Sequence, residues 1–289
     1  MKIVWMNSTL SGLCDRFVDL FLLAAMMRVL GSELIVPWRI NRNFTERQLK
    51  TWDKARFEDY KYENFSQYFS LPKSIKILTE EEFSNYDLTG HYHFNDYLGG
   101  VFTPASFYRK YLTGICSYEV FEESHSQVLR EFTPKQKLLD IVGCSPNSDL
   151  AIHLRRGDKV NDSPNEVEIA VNALQDLDEM TKLCADKILS RKNSATVFIC
   201  SDEDSFLKQY EQRYAESGHR ILKAVNECTR VERTYVDLFL LSRAKTIVMS
   251  QKHSNFSLFA SQVGNSNLVY FYKNNPMIEN SISVFHEEA

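Results

Sequence analysis

The sequence holds no apolar run long enough to cross a bilayer. Its most hydrophobic stretch, Phe17 to Leu30, is broken by Asp19 and Arg28, and the uncharged segment Leu20 to Met27 falls far short of the roughly 20 residues a spanning helix needs. That stretch reads as a buried helix. A basic leader with a small-residue cleavage site is also lacking, since Met1-Lys2-Ile3-Val4-Trp5 already has the texture of a first strand; the expectation is a cytoplasmic protein without a transmembrane segment. Without a leader, the Asn-x-Ser/Thr triplets at Asn7, Asn43, Asn64 and Asn255 read as chance matches. The cysteines Cys14, Cys116, Cys144, Cys184, Cys200 and Cys228 include no Cys-x-x-Cys pair and no matching His spacing. This argues for buried reduced thiols over disulfides or metal ligands. Basic residues are not in excess either: 34 Lys and Arg against 38 Asp and Glu leave a net charge of -4. A surface built to hold nucleic acid is therefore not expected, and any phosphate site must be local. No fixed-period repeat and no low-complexity tract appears.

What is present is ordinary globular material: 289 residues, 44% hydrophobic and 25% charged, enough for one large or two medium cores. The apolar run Ile3 to Met6, a turn with Gly12, the buried helix, Gly31 and the run Leu34 to Val36 ending at Pro37 form a β-α-β unit. Residues 40 to 135, rich in Phe, Tyr, Glu and Lys with turn signals at Pro72, Gly90, Gly99-Gly100 and Pro104, read as irregular and helical elaboration. After Pro134 the texture changes, and a domain boundary near 140 divides an N-terminal domain, 1–140, from a C-terminal one, 141–289. Strands are expected at Leu150 to Leu154, Thr196 to Cys200, Arg220 to Lys223, Thr246 to Met249 and Leu268 to Tyr272, separated by helices at about 167–191, 203–215, 232–243 and 254–263. Such alternation is the signature of an open, mainly parallel α/β sheet.

Ligands of such sheets bind beyond the carboxyl ends of the strands, where helix N-termini present free N–H groups. Three segments qualify. Ile152-His153-Leu154 runs directly into Arg155-Arg156-Gly157-Asp158-Lys159. Paired guanidinium groups there suit a diphosphate that gains charge as a sugar leaves, with Asp158 orienting one of them; a solvated turn with surface ion pairs explains the same residues. The strand ending at Cys200 is followed by Ser201-Asp202-Glu203-Asp204, either carboxylates for a base or ribose or a helix cap with acidic first-turn residues. Beyond Met249-Ser250, the segment Gln251-Lys252-His253-Ser254-Asn255 begins a helix whose amides either receive an anion or are simply capped.

These residues carry a resemblance. His153-Leu154-Arg155-Arg156-Gly157-Asp158-Lys159-Val160 is similar to the His-x-Arg-Arg-x-Asp-Lys-Val segment of the α1,6-fucosyltransferases, within the fucosyltransferase-like glycosyltransferase superfamily. Two later segments resemble that family's motifs in the same order. One is Phe198-Ile199-Cys200-Ser201-Asp202-Glu203-Asp204; the other is Tyr235-Val236-Asp237-Leu238-Phe239-Leu240-Leu241-Ser242-Arg243-Ala244 with Ser254-Asn255. Over the N-terminal half the likeness is limited to Ser11-Gly12-Leu13-Cys14-Asp15-Arg16, similar to the family's first glycine-rich loop.

The resemblance implies a GT-B-like α/β fold of two Rossmann-like domains, a mainly parallel sheet in each, and inverting, metal-independent transfer from a GDP-sugar, usually GDP-fucose, to a glycan acceptor. It implies that Arg155 and Arg156 include the β-phosphate clamp with Asp158 in support, and that Ser254 meets phosphate. Asp202 and Asp237 would serve the nucleotide end or hold its loops. Gly12, Arg16, His153, Lys159, Ser201, His253 and Asn255 complete the implied donor site. The N-terminal domain would take the acceptor side, with no cofactor and no metal. The carboxylate that the family places just past the motif does not align to one position, so Asp15, Asp162, Glu166 and Glu168 all stand as candidate bases. The loop at Gln251-Lys252-His253 is one residue longer than the common pattern, which leaves other donors open, such as GDP- or UDP-linked xylose or rhamnose. A non-catalytic sugar-nucleotide or glycan-binding module is the alternative of another class. Tyr92, Tyr97, Phe102, Phe107 and Tyr108 would either stack on sugar rings or pack a core.

Overall fold

A computed structural model describes residues 2–5, 13–38, 65–94, 98, 103–143, 147–154, 167–201, 203–224, 226–250, 254–272 and 275–280. The described residues divide into two units, one running to Lys137 and the other beginning at Leu138.

The first unit starts with β1 (Lys2–Trp5), α1 (Leu13–Val29) and β2 (Glu33–Pro37). α1 is buried almost all round, Leu20 to Met27 without exception, as a helix with apolar residues on every face must be. Gly31, at φ +59, takes the left-handed conformation that turns the chain from α1 into β2. After β3 (Phe69–Ser70) come β4 (Ile75–Leu78), α2 (Glu80–Ser84) and β5 (Tyr92–Phe94). β4 and β5 flank the first two strands in one parallel sheet of order β4-β2-β1-β5.

This corrects the expectation for residues 40 to 135: part of the segment supplies both edges of the N-terminal sheet. Strands of four and three residues at a half-exposed edge are too short to display an alternating pattern. The helices α3 (Pro104–Tyr111) and α4 (Tyr118–Glu131) follow, then β6 (Thr133–Pro134), antiparallel to β3. α4 packs on α1, and the Ser124 hydroxyl donates to the Ala25 carbonyl at 3.0 Å. Among the aromatic candidates, Phe107 is buried against Phe121 and belongs to the core, whereas Tyr92 is 64% exposed; Tyr97 and Phe102 lie outside the described residues.

The boundary falls within α5 (Gln136–Val142), and the second unit continues with β7 (Leu150–Leu154), α6 (Val167–Leu189), β8 (Thr196–Ser201), α7 (Asp204–Glu216), β9 (Arg220–Leu222), α8 (Arg230–Ser242), β10 (Thr246–Met249), α9 (Asn255–Gly264), β11 (Asn267–Tyr272) and β12 (Asn275–Asn280). The strands from β7 to β11 are parallel, and β12 adds an antiparallel edge, giving the order β12-β11-β10-β7-β8-β9. β7 lies inside this sheet and every residue of it is buried, the pattern of a strand covered on both faces. Leu150, Ile152 and Leu154 enter the core formed with Tyr210 and Tyr214 of α7. His153 therefore belongs to the other face, by the alternation of a strand. At the amino edge, Asp149 accepts hydrogen bonds from Lys192 at 2.5 Å, Lys245 at 3.0 Å and the Thr196 N–H at 3.0 Å. These contacts hold its carboxyl well below the usual carboxylate range, the Lys192 bond foremost. Among the described residues no helix is long and apolar enough to cross a membrane, and none of the described cysteines is in a disulfide.

Candidate functional site

The chain runs outward from β7 through β8 to β9, then returns to the other side of β7 and continues through β10 to β11. The order reverses between β7 and β10, and in open α/β sheets ligands occupy the crevice beyond the carboxyl ends at such a point. His153 closes one side of it, paired with Met249 of β10, and its carbonyl accepts the Ser250 N–H at 3.0 Å.

The His153 side chain meets the start of α9. Its Nδ1 lies 2.7 Å from the Ser257 hydroxyl and 3.4 Å from that of Ser254, and its ring centroid is 5.3 Å from that of Phe256. Ser254 is the residue preceding the helix, yet its side chain makes no capping bond; its hydroxyl is turned to His153 instead. Ser250, Ser254 and Ser257 are all buried. Two serine hydroxyls and an imidazole are thus grouped where the first N–H groups of a ten-residue helix carry partial positive charge. Such a group can orient an anion through neutral donors.

A second feature lies at the carboxyl edge of β8 and β9. There a cavity of about 440 Å³ is lined by the first turns of α7, by the residues after β9, and by Arg233 and Asp237 of α8. α8 starts at Thr229, whose hydroxyl accepts the Glu232 N–H while the Glu232 carboxylate accepts the Thr229 N–H, a reciprocal cap. Arg233 Nε donates to Asp237 Oδ1 at 2.9 Å. Burial pushes the Asp237 carboxyl up to about 6, against the opposing pull of Arg233.

The remaining residues of the expected site divide sharply. Ser201 accepts the Glu203 N–H at 3.1 Å, so its hydroxyl shapes the turn into α7. Asn255 is the first residue of α9. Asp15 and Arg16 occupy the first turn of α1, where the buried Arg16 guanidinium stacks on Trp38 at 4.5 Å. Gly12, Arg155, Arg156, Asp158, Lys159, Asp162, Glu166, Asp202 and His253 lie outside the described residues, and of Glu168 only the helical backbone is described. Among the described residues no group of His, Cys, Asp and Glu is arranged to hold a metal ion.

Two contributors went unread in the sequence. Ser257 lies three residues after Ser254, hence on the same face of α9, and Arg233 precedes Asp237 by one turn of α8. Both spacings are visible in the sequence, but neither reveals which face looks into a site.

No family model matches the chain, and no curated protein matches it by sequence. By structure it is similar to the α-1,6-fucosyltransferase NodZ soaked with GDP-fucose, at 13% identity and a TM-score of 0.56, over 96% of this chain and 98% of that one. The fucosyltransferase NodZ from Bradyrhizobium gives 13% identity and a TM-score of 0.55 over 97% and 98%. An Arabidopsis thaliana FUT1 mutant in complex with GDP gives 13% and 0.51 over 94% and 70%. At these identities the likeness carries the fold: α/β, GT-B-like, two Rossmann-like units with a mainly parallel sheet in each, of the fucosyltransferase-like type.

Proposed function

We propose that the chain is an inverting, metal-independent glycosyltransferase that moves fucose from GDP-fucose to a hydroxyl of a glycan. The observation that carries this reading is the convergence of His153, Ser254 and Ser257 at the point where strand order reverses. Two residues of separate motifs, about a hundred positions apart, share one buried cluster in a fold whose NodZ and FUT1 examples were obtained with GDP-fucose and GDP. In this reading the second unit holds the donor and the first serves the acceptor. The α9 amides and Ser254 receive phosphate, Arg155 and Arg156 neutralise the departing diphosphate, and Asp237 serves the nucleotide base. Transfer with inversion also needs a base for the acceptor proton, drawn from Asp15, Asp162, Glu166 or Glu168. Two guanidinium groups supply the cationic role that a metal fills elsewhere.

Hydrogen exchange with GDP and with UDP tests the site. GDP at about 100 times its dissociation constant should add about 2.7 kcal/mol of stability and protect the segments after Leu154, Cys200 and Met249. Protection by UDP alone would overturn the guanine donor, and no protection by either would overturn the site. Transfer from GDP-fucose should fall by about 100-fold or more in Arg156→Ala or Arg155→Ala; near-normal turnover in both removes the clamp.

A further inference from the structure

The Arg233–Asp237 pair is poorly explained as a helix stabiliser. Exposed pairs at this spacing contribute about 0.3–0.5 kcal/mol, and the cation-first order is the weaker one. Here the carboxylate is the covered partner, with its side chain 13% exposed against 44% for the arginine. Both residues line the 440 Å³ cavity. Among the described residues, Asp237 Oδ2 accepts no hydrogen bond, and Arg233 makes none besides the one from Nε. Oδ2 thus remains available, at the wall of the cavity, to the N–H donors of a ligand.

We propose that Arg233 is a positioning residue for nucleotide recognition: it keeps Asp237 charged and fixed by Oδ1, leaving Oδ2 to accept N–H donors from a guanine edge. This rests on the reading of the second unit as a GDP-sugar site. Guanine presents neighbouring ring N–H and amino donors, which a carboxylate satisfies and a neutral carboxylic acid meets poorly. The other charged or titratable groups lining the cavity are Asp204, Lys208 and Glu211 of α7, Lys223 after β9, and Glu227 and Cys228 before α8. Lys223 is held by Glu211 at 2.6 Å, and burial pushes the Cys228 thiol up, so that it stays neutral. Arg233 is the charge that opposes the effect of burial on Asp237.

The test is GDP affinity measured by calorimetry from pH 6.5 to 9 in the wild type, Arg233→Gln, Arg233→Lys and Asp237→Asn, with IDP, which lacks the amino group, as a second probe. Wild-type affinity should vary little above pH 7, because Asp237 is already ionised there. A neighbouring opposite charge lowers a carboxyl's midpoint by about one to three pH units. Its loss in Arg233→Gln should therefore weaken GDP about tenfold at pH 7, with recovery towards pH 9. Arg233→Lys should retain the wild-type profile, and Asp237→Asn should bind weakly at every pH, with GDP and IDP alike. Arg233→Gln binding that is unchanged, or equally weakened at every pH, overturns the proposal while leaving the donor site standing; so does an Arg233→Lys profile that matches Arg233→Gln. Wild-type protein that fails to bind GDP overturns the donor site and this proposal together.

Discussion

Replacing Gly264 with alanine is expected to destabilise the second unit and weaken donor binding together. Gly264 ends α9 where that helix approaches the end of α8. An added Cβ would sit 1.8 Å from the Ser242 carbonyl oxygen, 2.7 Å from its carbonyl carbon and 3.0 Å from its Cα. All three atoms are backbone, so no side-chain rotation relieves the overlap. Restoring ordinary contact requires the end of α9 to retreat from the end of α8 by roughly 1.5–2 Å. Overpacking typically costs about 1–3 kcal/mol, and a backbone clash belongs at the upper end. The better helix propensity of alanine returns about 1 kcal/mol at most. A net loss of about 2 kcal/mol should lower Tm by about 4–8 °C for a unit of this size. The other end of α9 carries Ser254 and Ser257, so the displacement reaches His153 and GDP affinity should fall as well. Thermal denaturation and calorimetric GDP titration check the two parts separately. A wild-type melting midpoint would refute the steric reasoning, and lowered stability with unchanged affinity would refute the mechanical link through α9.

Other perturbations probe the remaining contacts. Ser257→Ala removes the 2.7 Å partner of His153 with little change in volume; a several-fold rise in the GDP dissociation constant with only about 1 kcal/mol lost in stability is expected by titration and urea denaturation. Burial holds the His125 imidazole down at about 4, below its ordinary 6.5, so the unfolded chain binds the extra proton between those values. Stability should therefore fall by about 3 kcal/mol as pH drops from 6.5 to 4, and His125→Leu should flatten that part of a urea-midpoint profile; equal slopes in the two proteins would contradict it. Asp149→Ala should cost about 1–2 kcal/mol, chiefly by leaving the Thr196 N–H without its acceptor. Because the Asp149 carboxyl is depressed in the folded protein, the wild-type advantage should persist above the usual carboxylate range and vanish only in stronger acid.

Much of the second unit was legible in the sequence because its strands are compact apolar runs bounded by turn residues. Leu150–Leu154 and Thr246–Met249 match the reading residue for residue, and the other strands and helices from 167 to 272 differ by one or two positions at their ends. Helix α1 was equally plain, since no half-exposed surface helix carries eight uncharged apolar-rich residues in succession. The segments that carry the candidate donor motifs were visible too, as polar bursts directly after strands. Local pattern could not decide which strands become neighbours. β9 and β10 are consecutive along this part of the chain yet stand at different positions in the sheet, with β8 and β7 between them, and that reversal creates the crevice beside His153. β4, β5 and the antiparallel β12 are short or peripheral, and gain their partners from strands distant in sequence or from a reversal the composition does not announce. The contact of His153 with Ser257 joins residues 104 positions apart, and the burial that raises the Asp237 carboxyl comes from α8 packing beside the cavity. Residue types and their periodicity belong to the sequence; long-range pairing, and the desolvation that follows from it, exist only once the chain has folded.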